Sequence, residues 1–114
     1  MNNLYIKTTP AFDRKASLMT EKALEEFLDH IEKNPEAGKI ISGTGGVRKI
    51  RWEKGDNDKG KSGGVRILYH YSKDLLVLLI TLYGKSEKGN ISQAERNQLK
   101  QTVPLLVAKY RGEL

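Results

Sequence analysis

The sequence predicts an α+β domain in which an N-terminal strand and an α-hairpin pack on an antiparallel β-meander, completed by a C-terminal helix. Three observations support this fold class. Apolar residues recur at helical spacing in the first third, alternate with polar residues from Val47, and return to helical spacing after Ser92. A chain of 114 residues can bury one core but is short for two domains. We therefore expect residues 1–114 to form a single domain.

The N-terminal third carries the signals of one strand and two helices. Asn3 to Lys7 alternates weakly and predicts an opening strand. Thr9-Pro10 supplies an N-cap and a first-turn proline for one helix, and Thr20 caps a second helix that stops at Asn34-Pro35. The apolar positions of the two helices form a stripe that we expect to cover a sheet: Phe12, Ala16, Met19, Leu24, Phe27, Leu28 and Ile31.

Three strand patterns follow Gly43. From Val47 to Trp52 apolar and basic side chains alternate, and from Val65 to Tyr71 the alternation repeats with Arg66 on the second face. From Leu75 to Tyr83 the chain is almost wholly apolar, which predicts a central strand buried on both faces. The short connections between these strands predict an antiparallel meander.

A capping-box match, Ser92 with Glu95, predicts the start of the last helix. Its apolar stripe comprises Leu99, Val103, Leu106, Val107 and Tyr110. Pro104 falls inside this pattern, so we expect a kink or a restart of the helix there.

Composition limits the function classes. Cysteine is absent, which excludes thiolate chemistry and disulfides and is compatible with a reducing cytosol. No segment has the length of a membrane span, and the N-terminus lacks an export signal, so we expect a cytoplasmic protein without membrane contact. The net charge of +6 favours a polyanionic partner, although a generically basic soluble protein has the same composition.

Two apparent motifs are rejected. Gly55 to Ser62 matches the phosphate-loop pattern G-x-x-x-x-G-K-S, but such a loop must open a helix, and here a strand pattern follows. Metal binding has little support because His30 and His70 are the only histidines and no cysteine accompanies them. His30 is expected at the surface, whereas His70 shares the predicted face of Arg66, where a role in a site is possible.

The basic strand residues form the main candidate site. If the first two meander strands pair, Lys49, Arg51 and Arg66 converge on the face opposite the core, and Lys85 follows the end of the third strand. Repulsion between these cations costs stability, which an anionic ligand would offset. The alternative is a solvated basic face without a ligand.

Lysine and arginine can together cleave RNA without a metal. A base must remove the 2′-OH proton, a cation must stabilise the pentavalent phosphate, and an acid must protonate the leaving 5′-oxygen. Arginine suits the phosphate because its guanidinium donates two parallel hydrogen bonds. A lysine can act as base or acid where neighbouring cations lower its pKa.

The same residues resemble a known family. The chain reads GTGGVRKIR from Gly43 to Arg51, KGKSGGVR from Lys59 to Arg66, ILYHY from Ile67 to Tyr71, and LLITLYGKSE from Leu78 to Glu87. These segments, in this order of elements, resemble the RelE/HigB superfamily of toxins from bacterial type II toxin–antitoxin modules, most closely its HigB-like branch. The resemblance covers nearly the whole chain and implies a RelE-like fold.

The resemblance also implies a function and partners. It implies a ribosome-dependent endoribonuclease that cuts messenger RNA in the A site, needs no metal or other cofactor, and inhibits translation. A cognate antitoxin, a helix-turn-helix protein of the HigA type, would hold it inactive, and operator DNA would be bound only through the antitoxin. By position, the catalytic residues would be Lys49, Arg51, Arg66 and Lys85. The residues that grip RNA or ribosome would be Arg48, Lys54, Lys59, Lys61 and Tyr83.

The chain departs from the RelE pattern after the third meander strand. RelE toxins carry an arginine directly after the Gly-Lys pair, where this chain has Ser86, and a tyrosine shortly beyond, where it has Gly89-Asn90-Ile91. Tyr83 is the nearest tyrosine. Two other function classes remain open: a non-catalytic RNA- or ribosome-binding module that uses the same face, and the basic half of a two-protein complex.

Overall fold

The computed structural model describes residues 4–55, 64–73, 75–85, 87 and 90–114. Within them the chain forms five strands and three α-helices, with a short 3-10 helix at Ala16–Leu18. In chain order they are β1 (Tyr5–Thr8), α1 (Pro10–Lys15), α2 (Glu21–Lys33), β2 (Lys39–Ile40), β3 (Val47–Trp52), β4 (Val65–Ser72), β5 (Leu76–Gly84) and α3 (Gln93–Gly112).

All five strands form one sheet in the order β1-β5-β4-β3-β2. β3, β4 and β5 form the predicted antiparallel meander, β2 adds an antiparallel edge, and β1 pairs parallel with β5. The prediction that β5 is the central strand needs correction, because β4 occupies the middle and β5 lies between β4 and β1. β5 is nevertheless an interior strand, with both edges hydrogen-bonded along Leu76–Leu79.

Helices cover both faces of the sheet. Phe12 of α1 and Phe27 and Ile31 of α2 pack with Ile67 and Tyr69 on one face. On the other face, α3 packs over a second cluster of buried residues that comprises Val47, Leu68, Leu76, Leu78, Ile80, Tyr83, Ile91, Val103 and Tyr110. The predicted core residues of the α-hairpin are therefore confirmed. A core on both sides of the sheet explains why β5 has no polar face.

The helix starts follow local capping chemistry. The hydroxyl of Thr9 accepts a hydrogen bond from the Phe12 amide (3.1 Å) and donates one to the Ile80 carbonyl (2.6 Å), which ties α1 to β5. Thr20 caps α2 in the same way. Ser92 and Glu95 form the predicted capping box, with distances of 3.1 Å and 2.8 Å.

α3 continues through Pro104 from Gln93 to Gly112, so the expected restart of the helix is wrong. Val103 and Tyr110 are buried on either side of the proline, and their packing holds the helix on the sheet. Among the helices in the described part of the chain, none is both long and apolar enough to span a membrane.

Candidate functional site

Arg51, Arg66 and Tyr83 form one row across three neighbouring strands. Arg51 of β3 pairs with Arg66 of β4, and Arg66 pairs with Tyr83 of β5. Directly opposed residues of an antiparallel pair have Cβ atoms about 4.5–5.5 Å apart and point to the same face. The next row on this face contains Lys49, Leu68 and Thr81. The prediction that Lys49, Arg51 and Arg66 share a face is confirmed.

The sequence predicted that this face lies opposite the core, and the structure corrects that prediction. Leu68 and Tyr83 belong to the buried cluster beneath α3, so the basic residues lie beside a second core. Tyr83 is only 1% exposed, Lys49 and Arg66 are partly buried, and Arg51 is exposed. The exposure of the side chains therefore increases across the row, from the buried Tyr83 on β5 to the exposed Arg51 on β3.

The sheet is narrow where the arginines lie. β1 pairs with Leu76–Leu79 of β5, and β2 pairs with Arg48 and Lys49 of β3, so neither edge strand reaches the arginine row. At that level the sheet consists of β3, β4 and β5. Within the described residues, the two arginines consequently stand at one end of the sheet, beyond the reach of both edge strands.

The segment between β5 and α3 is tied down beside this row. Lys49 Nζ donates a hydrogen bond to Asn90 Oδ1 at 3.0 Å, and Lys15 Nζ contacts Glu87 Oε2 at 2.8 Å. Lys85 follows β5 as an exposed turn residue, two positions before Glu87. The structure thus joins Lys49 of β3 to the approach to α3, a contact between residues 41 positions apart that no local sequence signal indicates.

Arg48 lies on the opposite face, in the same row as Tyr69. Its guanidinium donates to the carbonyls of Gly38 (2.7 Å) and Glu36 (3.1 Å), so the structure does not bring it together with Arg51 and Arg66. Lys54 follows β3, and its carbonyl accepts the Thr20 amide near the start of α2.

The remaining basic candidates, Lys59 and Lys61, lie outside the described residues, as does most of the rejected phosphate-loop match. The described chain resumes at Gly64 and enters β4, and no helix begins there. A phosphate loop would be followed by a helix, so the strand found here supports the rejection of that motif.

His70 lies on the same face as Arg66 but at the far end of β4. Four residues of strand separate them, which corresponds to about 13 Å. Burial, and secondarily the nearby Arg48 guanidinium, lower the pKa of His70 below its ordinary value. Within the described residues, no cluster of three or more His, Cys, Asp or Glu side chains is arranged to hold a metal ion.

Comparison with solved structures identifies the fold class as RelE-like. An arginine double mutant of the toxin RelE from Escherichia coli, in the free state, superimposes with a TM-score of 0.54, 16% identity and coverage of 78% of this chain and 90% of that chain. The archaeal RelE-RelB complex from Pyrococcus horikoshii gives a TM-score of 0.50 and 19% identity, covering 75% of this chain and 98% of the matched chain. No protein-family model matches the sequence. At these identities the likeness establishes the fold.

Proposed function

We propose that this protein is the toxin of a type II toxin–antitoxin module and acts as a ribosome-dependent endoribonuclease that cleaves messenger RNA in the A site. The observation that carries the proposal is the row of Arg51, Arg66 and Tyr83 on a RelE-like sheet, with Lys49 one row away. Two guanidinium groups side by side on neighbouring strands suit a phosphodiester, since each can donate two hydrogen bonds to its oxygens.

In the proposed reaction, the 2′-oxygen attacks the adjacent phosphorus while the bond to the 5′-oxygen breaks. Arg51 and Arg66 stabilise the negative charge that grows on the equatorial phosphate oxygens. In this proposal, one of Lys49 and Lys85 acts as a neutral amine and takes the proton of the 2′-OH, and the other acts as an ammonium and gives a proton to the leaving 5′-oxygen. Metal independence is part of the proposal, because these cations would supply the charge stabilisation.

We also propose that a cognate antitoxin binds and inhibits the protein. The Pyrococcus horikoshii neighbour is a RelE-RelB complex, which supports a protein partner for this fold. The sequence resemblance favours a helix-turn-helix antitoxin of the HigA type, through which operator DNA would be contacted.

The decisive experiment maps the 5′ ends of a reporter message in a translating lysate. The wild-type protein should produce new ends within codons of the translated region, and Arg66→Ala should reduce them by about 10² or more, the loss expected for one stabilising donor. Lys22→Ala removes an exposed cation of α2 on the opposite side of the sheet and should cleave like the wild type. Addition of the protein to the same message without ribosomes tests the dependence on translation.

Two results would redirect the proposal. An intact message in the wild-type reaction, combined with salt-sensitive RNA binding, would identify a non-catalytic RNA- or ribosome-binding module. Equal cleavage by the wild type and Arg66→Ala would remove Arg66 from the chemistry and with it the arginine row as the active site.

A further inference from the structure

A cavity of about 280 Å³ adjoins the arginine row. It lies between α1, the outer half of β5 and the first turns of α3. Leu68, Thr81 and Tyr83 form its sheet side. Two apolar side chains lie opposite: Leu99 of α3, and Ile91, the residue before the N-cap of α3. The cavity exists because β1 ends at Thr8 and leaves Ile80–Gly84 of β5 without a strand on that side.

The cavity is next to the proposed cleavage site, because two of its lining residues are strand partners of basic residues of that site. Tyr83 is the strand partner of Arg66, and Leu68 is the strand partner of Lys49. Opposed residues on one face lie about 5 Å apart at their Cβ atoms. A phosphate held by Arg66 would therefore have the cavity as its neighbour on the β5 side.

The lining combines apolar walls with polar side chains, among them the partly buried Thr81 and the exposed Gln98. The Thr81 hydroxyl and the Gln98 side-chain amide both line the cavity, and neither makes a side-chain hydrogen bond to another residue of the described chain. A hydroxyl and a carboxamide each both donate and accept hydrogen bonds, as do the edges of nucleobases. The ion pair of Lys15 and Glu87 lies at one side, because Lys15 also lines the cavity.

We propose that this cavity binds the nucleobase of a nucleotide next to the cleaved phosphodiester and so sets a base preference for cleavage. This inference rests on the proposed function and names the substrate feature that the site would read. The volume is just below the range of about 300–1,000 Å³ that is typical of small-molecule sites, which suits one unstacked base and not a whole nucleotide chain. Apolar side chains contact the faces of the base, while Thr81 and Gln98 read its edge.

The first test compares the base composition at cleavage sites. Thr81→Val and Gln98→Leu keep the approximate shape of each side chain and remove its hydrogen-bonding groups. Each should reduce the ratio of cleavage at preferred over other bases by about three- to tenfold, the effect of one hydrogen bond. Gln101→Leu is the matched control, because Gln101 is exposed on α3 and does not line the cavity. It should leave the preference unchanged.

A binding measurement separates this inference from the proposed function. Two-dimensional NMR with the four nucleoside 5′-monophosphates should shift the amide signals of Thr81, Gln98 and Leu99, and ribose 5-phosphate should not. If these shifts occur but the protein does not cleave RNA, the cavity is supported as a base site and only the proposed nuclease function fails. Cleavage without base preference, or with a preference that both variants retain, would overturn the inference. It would equally be overturned if nucleotides cause no shifts there and an antitoxin peptide does.

Discussion

Arg51 and Arg66 are directly opposed across the antiparallel pair of β3 and β4, and both side chains stand on the face that also carries Lys49. Opposed like charges destabilise a sheet. In the proposed function, a phosphate would contact both guanidinium groups, because each arginine can donate two hydrogen bonds to it.

The first prediction concerns the salt dependence of RNA binding. Arg51→Ala and Arg66→Ala should each weaken binding of a single-stranded oligoribonucleotide and lower the slope of log K against log salt by about 0.7, the value for one phosphate contact on a single strand. Fluorescence anisotropy between low and moderate salt measures the slope. Lys22→Ala, on the far side of the sheet, should leave it unchanged. Identical slopes for all three variants would place the RNA elsewhere.

The second prediction concerns the glycine that leads into β4. Gly64 has a φ of +64°, and a Cβ there would collide with the carbonyl oxygen of Trp52. Gly64→Ala should therefore lower the free energy of unfolding by more than the ~1–2 kcal/mol that left-handed backbone costs other residues. Gly43→Ala isolates the backbone effect, because Gly43 has a φ of +80° and no heavy atom within 4 Å of its added Cβ. Urea denaturation of both variants measures the difference, and equal losses would exclude the collision.

The features that the sequence predicted correctly are those fixed by neighbouring residues. Caps at Thr9, Thr20 and Ser92 depend on a side chain and an amide three residues away. The shared face of Arg51 and Arg66 follows from the alternation of apolar and basic residues along each strand once β3 and β4 pair. The features that it missed depend on distant parts of the chain. The short β2 edge and the hydrogen bond from Lys49 to Asn90 form only when the sheet and α3 assemble.

The misplacement of the core has the same origin. Alternation on β3 and β4 shows which residues share a face but not how many layers cover the sheet. On the face that carries Arg66, α3 covers Leu68 but leaves Arg51 exposed. Which of these residues is covered depends on where the helix crosses the strands. Helix packing likewise maintains α3 through Pro104, because tertiary contacts override the local cost of a proline.

A third prediction follows from the buried hydroxyl of Tyr69. It accepts a hydrogen bond from the Gly38 amide (2.8 Å) and donates one to the Pro35 carbonyl (2.9 Å), which attaches the end of α2 to the sheet. Burial raises the pKa of Tyr69, so the hydroxyl keeps its proton for the second bond. Tyr69→Phe leaves both backbone groups without their partner and should cost about 1–3 kcal/mol. Chemical denaturation measures this loss, and Tyr5→Phe, at a side chain that is 48% exposed, should change stability little.

A fourth prediction concerns acid stability. Because burial and Arg48 lower the pKa of His70, the folded protein takes up this proton less readily than the unfolded chain. The contribution of neutral His70 to the free energy of unfolding is fully present above pH 6.5, the ordinary pKa of histidine. It is lost as the pH falls from there through the lowered pKa of the folded protein. His70→Gln should therefore lose less stability than the wild type between pH 7.5 and 5.5. Thermal melts at both pH values test this, and parallel losses in the two proteins would contradict it.

The last prediction concerns the contact of Lys49 with Asn90. The 3.0 Å hydrogen bond holds the Lys49 ammonium beside the approach to α3, so Asn90 acts on the proposed chemistry through Lys49. Asn90→Ala should reduce the initial rate of message cleavage by about tenfold, and Lys49→Met by about 10² or more. Since both changes disturb one unit, the double variant should be no slower than Lys49→Met alone. Asn97→Ala, at an exposed asparagine within α3, is the matched control and should cleave normally. Rate losses that multiply in the double variant would show that Asn90 and Lys49 act independently.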